Sequence, residues 1–172
     1  MTEIWTKQKI LRRAGAADIA AIMEIERQPG YDAVVGRWAA EQHLHNISKP
    51  GYLYLVHDGE VGEERQPIAF AALSGMGDAK GEVWINRLIV RTPGRGTGRT
   101  FLGAIMELAF EGAPTSRLWL RVRPENQRAL NLYRSHGFID EKLLPQAGTT
   151  PDGKRVDLLV MSILYEDWVA AR

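Results

Sequence analysis

The stretch that decides the fold runs from Trp84 to Phe110. It reads Trp84-Ile85-Asn86-Arg87-Leu88-Ile89-Val90, then Arg91-Thr92-Pro93-Gly94-Arg95-Gly96-Thr97-Gly98-Arg99, then Thr100-Phe101-Leu102-Gly103-Ala104-Ile105-Met106-Glu107-Leu108-Ala109-Phe110. β-Branched and aromatic residues mark the first part as a strand. Phe101, Leu102, Ile105, Leu108 and Ala109 recur at helical spacing and predict a helix over 98–111. Between the two, Gly94, Gly96 and Gly98 let backbone approach another group closely. A turn of this kind leaves free N–H groups at a helix N-terminus, which can hold a phosphate or pyrophosphate without a cationic side chain. Arg91, Arg95 and Arg99 add positive charge. On the turn alone, a surface loop kept flexible by glycine and soluble by arginine fits equally well. The spacing matches neither a P-loop nor the dinucleotide-binding glycine fingerprint.

Upstream, residues 1–8 read as a polar lead and 9–14 as a first strand. A helix is predicted over 17–27, with Ile19, Ile22, Met23 and Glu26 along one side and Pro29-Gly30 as its stop. A second helical region is predicted over 31–47, anchored by Val34, Val35, Trp38 and Leu44. His43 and His45 do not share a helical face, so they read as surface or hydrogen-bonding groups rather than a metal pair. Strands over 52–57, 67–73 and 81–90 follow, separated by a turn at 58–60, a polar loop to Gln66 and a turn at 75–80. Short connections make these an antiparallel meander.

Downstream, Ala113-Pro114-Thr115 ends the long helix and Arg117 to Val122 alternates as a strand. A strand–helix–strand crossover makes 81–90 and 117–122 parallel. Arg123-Pro124-Glu125-Asn126 opens a short helix on which Ala129, Leu130 and Tyr133 face one way, and Gly137 closes it. A strand over 138–144, a polar loop over 145–155, a last strand over 156–164 and a helical turn around Trp168 complete the chain. No linker or repeat divides it, so residues 1–172 are expected to form a single domain.

The chain has 172 residues, a net charge of +1 and no cysteine. Thiolate catalysis, disulfides and cysteine-ligated metals are thereby excluded. The charge gives no electrostatic case for nucleic acid. No apolar run is long enough for a membrane span, and the first residues lack the apolar core of a signal peptide. The expectation is a soluble, cytoplasmic protein with no metal.

Two blocks carry a family resemblance. One is Leu88-Ile89-Val90 followed by Arg95-Gly96-Thr97-Gly98-Arg99 and an apolar helix. The other runs from Val122 through Asn126 and Tyr133 to Gly137-Phe138. In this order and separation they resemble the GCN5-related N-acetyltransferase (GNAT) family, and the element order from Lys9 to Leu164 agrees. The resemblance implies an α/β acyl-CoA N-acyltransferase fold, a mixed central sheet flanked by helices. It implies acetyl-CoA as co-substrate, with Leu88 and Val90 offering main-chain groups to the pantetheine arm. Arg91, Arg95, Gly96, Thr97, Gly98 and Arg99 would surround the pyrophosphate, and Asn126 would help position the cofactor. One departure is Pro93, which stands where the family often has Gln or Arg.

Acetyl transfer to an amine requires a positioned thioester, a neutral amine, oxyanion stabilisation and a proton for the leaving thiolate. By the resemblance Tyr133 is the general acid. Glu82, Trp84 and Asn86 share a face if their strand is regular. This makes Glu82 a candidate base, directly or through water, and Asn86 a candidate for orienting water or substrate. Glu82 equally fits an exposed strand-end carboxylate, and Asn126 equally fits a helix cap. Trp38, Trp84 and Trp119 could line a pocket; each also fits a core or sheet-face position. The acceptor is expected to be a small-molecule amine or a protein N-terminal or lysine amine, with a homodimer formed through sheet edges or the last strand. The alternatives are a non-catalytic acyl-CoA binding or sensing module of the same fold, and an unrelated α/β interaction domain.

Overall fold

A computed structural model describes residues 10–172, so the polar lead expected at 1–8 lies outside the described residues. Its centre is a seven-stranded sheet. The strands are β1 (Arg12–Arg13), β2 (Tyr52–Val61), β3 (Glu64–Ser74), β4 (Glu82–Val90), β5 (Arg117–Val122), β6 (Ile139–Thr149) and β7 (Arg155–Leu164), in the spatial order β1-β2-β3-β4-β5-β7-β6. The helices are α1 (Ile19–Glu26), α2 (Ala40–Ile47), α3 (Thr97–Gly112), α4 (Gln127–Ser135) and α5 (Tyr165–Ala170). The meander β2–β3–β4 is antiparallel, as the short loops require. β4 and β5 are parallel across the α3 crossover.

Several boundaries differ from the sequence reading. The 31–39 stretch is irregular, and only Ala40–Ile47 of the second region is helical. Asp58-Gly59-Glu60 stays inside β2 at a bulge, and the hairpin turns instead at 62–63. The polar loop expected at 145–155 is largely strand, because β6 runs to Thr149 against β7 and leaves a turn at 150–154. β7 is paired on both sides, so the last strand is interior and the edges of the sheet are β1 and β6.

One face of the sheet packs on α3, where Phe101, Leu102 and Ile105 are fully buried. Each such side chain contributes about 1.5–3 kcal/mol of burial. α3 ends at Gly112 because Pro114 forces Ala113 into the extended region. The other face of β2, β3 and β4 packs on α1, where Ile22 and Ile25 meet Tyr54, Val56, Phe70 and Ile89.

β4 is irregular at Asn86. Leu73 pairs with Ile85 and Ala72 with Arg87, so Asn86 is the extra residue of a bulge. Side-chain parity therefore inverts there. Val83 and Ile85 pack toward α3, and beyond the bulge so do Leu88 and Val90. Asn86 lines the same cavity as Arg87 and Arg121, and Arg121 lies over the Trp84 ring, so the bulge changes the alternation only from Arg87 onward.

Candidate active site

The site begins where hydrogen bonding stops. β4 and β5 pair from Glu82↔Arg117 to Ile85↔Leu120, and then both continue without pairing. The Arg91 amide donates to the Ile68 carbonyl at 2.7 Å. Alternation then turns the main chain of Ile89 and Arg87 toward β3 and that of Leu88 and Val90 into the gap. The Val90 carbonyl there accepts from the Tyr31 hydroxyl.

Two cavities open at this gap. One, of about 250 Å³, lies between the end of β4, the glycine turn and α4; its wall includes Leu88, Val90, Gly96, Gly98, Arg99 and Asn126. The other, of about 280 Å³, lies between the parted strands and is closed by the β6–β7 hairpin; its wall includes Asn86, Arg87, Arg121 and Arg123. Leu88, Asn126, Ala129 and Tyr133 line both.

The glycine turn leaves helix amides free. Gly94 and Gly96 have φ of 80° and 81°, a region that side-chain-bearing residues avoid. Gly96 caps α3 without a side chain, and the first intrahelical bond is Thr100 N–H to Gly96 carbonyl at 3.1 Å. The amides of Thr97, Gly98 and Arg99 thus lack intrahelical partners, and a pyrophosphate there would satisfy them. A Cβ on Gly94 or Gly96 would meet nothing within 4 Å, so the space beside the turn is open to a ligand. Arg91, Arg95 and Thr97 do not line this cavity, and Arg91 instead reaches Glu24 at 3.1 Å.

α4 is fixed at both ends. Asn126 caps it, its Oδ1 accepting from the Ala129 amide at 3.2 Å, which leaves the Nδ2 donors for the cavities. At the other end Gly137 has φ 90°, its amide donates to the Arg134 carbonyl, and the Phe138 amide donates to the Tyr133 carbonyl. These bonds form a Schellman cap, whose companion apolar contact is the Tyr133–Phe138 ring pair at 5.7 Å. The Gly-Phe pair after α4 therefore orients Tyr133. His136 adds a tie between helices: its ring nitrogens lie 2.9 Å from the Leu132 carbonyl and 3.1 Å from the Arg99 carbonyl. Burial pushes the Tyr133 hydroxyl up to about 12, so it is protonated at neutral pH.

Glu82 is not brought to these cavities. It lies four residues before Asn86, roughly 13 Å along a strand. Its carboxylate faces Arg117 at 3.5 Å, and Arg117 also pairs with Glu141 at 2.8 Å. Asn86 does line the inter-strand cavity, and its Oδ1 is buried without a hydrogen-bond partner. Trp38 lines the same cavity; Trp84 and Trp119 stack on each other beside it, 4.9 Å apart and 8° from parallel.

Sequence reasoning missed the buried polar group behind this cavity. Glu26 and His43 are fully buried, with the His43 ring 3.2 Å from Glu26 and 3.1 Å from the Tyr54 hydroxyl. Arg87 reaches Glu26 at 3.1 Å, donates to the Gly36 carbonyl at 2.6 Å and lies 4.0 Å above the Trp38 ring. The available signal was Glu26 itself, an acid in the apolar row of its helix.

Parted parallel strands, a glycine turn with free helix amides and a buried tyrosine thus meet between two cavities. The sequence model of the acetyltransferase (GNAT) family matches residues 19–138, and the chain belongs to that family, whose co-substrate is acetyl-CoA. Among solved structures it is similar to the ribosomal-protein-S18-alanine N-acetyltransferase of Escherichia coli, with 23% identity, 90% of this chain and 92% of that one covered and a TM-score of 0.73. The spermidine N-acetyltransferase of Vibrio cholerae in complex with CoA and spermine matches at 19% identity, with 92% and 96% covered and a TM-score of 0.76. The ribosomal-protein-alanine N-acetyltransferase of Brucella melitensis matches at 25% identity, with 90% and 99% covered and a TM-score of 0.67. An uncharacterized protein of Mycobacterium leprae is 43% identical over 53 residues, which span 31% of this chain and 14% of that protein. Among the described residues no helix is long and apolar enough to cross a membrane.

Proposed function

We propose that this chain, acting as one domain, transfers the acetyl group of acetyl-CoA directly to a primary amine. The observation that carries the reading is the meeting of two cavities at Leu88, Asn126, Ala129 and Tyr133, where β4 and β5 part. One cavity takes the coenzyme and the other the amine.

Acetyl-CoA supplies the acetyl thioester when bound. The Gly98 and Arg99 amides hold the pyrophosphate, and the Leu88 main chain pairs with the pantetheine arm. Asn126 Nδ2 donates into the junction. Asn86 Oδ1 accepts an N–H of the amine and aims its lone pair at the thioester carbonyl. The new C–N bond forms as the C–S bond breaks. Tyr133 gives its proton to the departing sulfur, the nitrogen releases one to water, and a proton from water restores the tyrosine. Glu82, committed to Arg117 at the far end of β4, has no part in this scheme.

Calorimetry with coenzyme A, followed by thiol release from acetyl-CoA over a panel of amines, tests the reading. Micromolar binding and turnover of at least one amine are expected. Binding without turnover of any amine would favour a sensing module, and the absence of binding would overturn the assignment of the glycine turn.

A further inference from the structure

We propose that the acceptor is a small amine bearing its own carboxylate, which Arg121 and Arg123 hold in the inter-strand cavity. This rests on the acetyltransfer reading above and adds the charge of the acceptor. Three guanidinium groups line that cavity, those of Arg87, Arg121 and Arg123, and Asp32 is its one carboxylate among the described residues.

Pairing decides which charges remain for a ligand. Arg87 is neutralised by the buried Glu26 at 3.1 Å, and Asp32 is paired with Arg37. Arg121 forms no ion pair among the described residues; its guanidinium lies over the stacked indoles, 5.1 Å from the Trp84 ring and 5.6 Å from that of Trp119. Arg123 has only Glu125 at 3.5 Å, and Glu125 is 65% exposed, so water competes for that pair. Two positive charges are left over against the single, 67% exposed carboxylate of Asp32.

Hydrogen bonding points the same way. Arg123 Nε is a buried donor that makes no hydrogen bond, its contact with Glu125 being only the 3.5 Å ion pair, whereas Asn86 Oδ1 is the unpartnered acceptor of the same cavity. An amino carboxylate satisfies both, its nitrogen on Asn86 and its oxygens on the arginines. Trp119, Arg121 and Arg123 alternate along β5 and its exit, so the three share a face. The indoles hold the Arg121 plane while its N–H edges stay open to a planar acid. A cavity of about 280 Å³ suits a small molecule. A polyamine would meet like charge there.

The test compares matched acceptors with the full chain: an amino acid, its carboxamide and its decarboxylated amine, with phenylalanine and alanine series as probes, plus spermidine and an acidic-tailed peptide. Thiol release gives kcat/KM, and calorimetry gives coenzyme A affinity. At least one free carboxylate is expected to exceed its carboxamide tenfold or more. Arg121→Gln and Arg123→Gln should each erase most of that preference through KM, with coenzyme A affinity held. Three results would overturn the proposal while coenzyme A still binds: equal or better turnover of the carboxamide, spermidine or peptide; no turnover of any free carboxylate; or a preference that survives both substitutions. Loss of coenzyme A binding in the unaltered protein would instead sink the acetyltransfer reading beneath it.

Discussion

The carboxylate of Glu26 on α1 lies 3.1 Å from the guanidinium of Arg87 on β4, and Glu26 is fully shielded from solvent. The pair crosses from the helical layer to the wall of the inter-strand cavity, so one contact joins the two.

Removing the acid should therefore cost the fold more than removing a surface charge. Glu26→Gln leaves Arg87 buried against an uncharged partner, and Arg27, 3.3 Å from the same carboxylate, also loses its counter-charge. A loss of about 3 kcal/mol is expected. Urea denaturation measures it; a change below about 1 kcal/mol would mean that the pair behaves like an exposed one.

Tyr133→Phe keeps the ring that packs on Phe138 and deletes only the hydroxyl. A kcat decrease of about 100-fold is expected, with coenzyme A affinity nearly unchanged. The wild-type hydroxyl, pushed by burial up to about 12, stays in its acid form below that pH. No tyrosine-dependent fall in kcat should therefore occur between about pH 7 and 10, which a pH–rate profile checks.

At Gly96 strain and binding separate. With φ of 81° and open space beside the Cβ position, Gly96→Ala should cost about 1–2 kcal/mol of stability through backbone strain, without a clash. Gly96→Glu adds a carboxylate where the pyrophosphate is held and should weaken coenzyme A binding at least tenfold. Thermal denaturation reads the first effect and calorimetry the second. Unchanged affinity in the glutamate variant would refute the anion site.

Asp18 supplies a pH-dependent latch. It accepts from Arg12 at 2.8 Å and from the Gly15 amide at 2.8 Å, and the arginine contact holds its carboxyl below the usual range. A depressed folded-state pKa gives stability that is complete above the unfolded pKa and lost as pH falls through the folded one. Asp18→Asn should thus lower Tm near pH 6, with the difference from wild type closing below about pH 4. A constant difference down to pH 2.5 would contradict this.

The fold was legible wherever local chemistry was decisive. β-Branched runs, the 3.6-residue spacing in α3, and the Asn126 and Gly137 caps named their own elements. The parallel β4–β5 pair followed from crossover length. What escaped was long-range. The polar residues at 145–149 are strand only because β7 supplies the ladder, and composition alone reads them as loop. The bulge at Asn86 is one uncompensated residue between β3 and β4, visible only in their register. Glu82 looked available because its partner Arg117 is 35 residues away. Arg87 escaped for the same reason, since its acid sits on a helix far upstream. The residues proposed to face the coenzyme lie in two contiguous blocks, within reach of a local reading.

The parting of β4 and β5 has an evolutionary consequence. The groups it exposes at Leu88, and those presented by the turn before α3, belong to the main chain, which every residue except proline supplies alike. A binding surface made this way is inherited with the path of the chain rather than with its letters. Chains only 19% and 23% identical to this one superpose with TM-scores of 0.76 and 0.73. Mutation is then free to retarget the acceptor half without re-inventing the donor half.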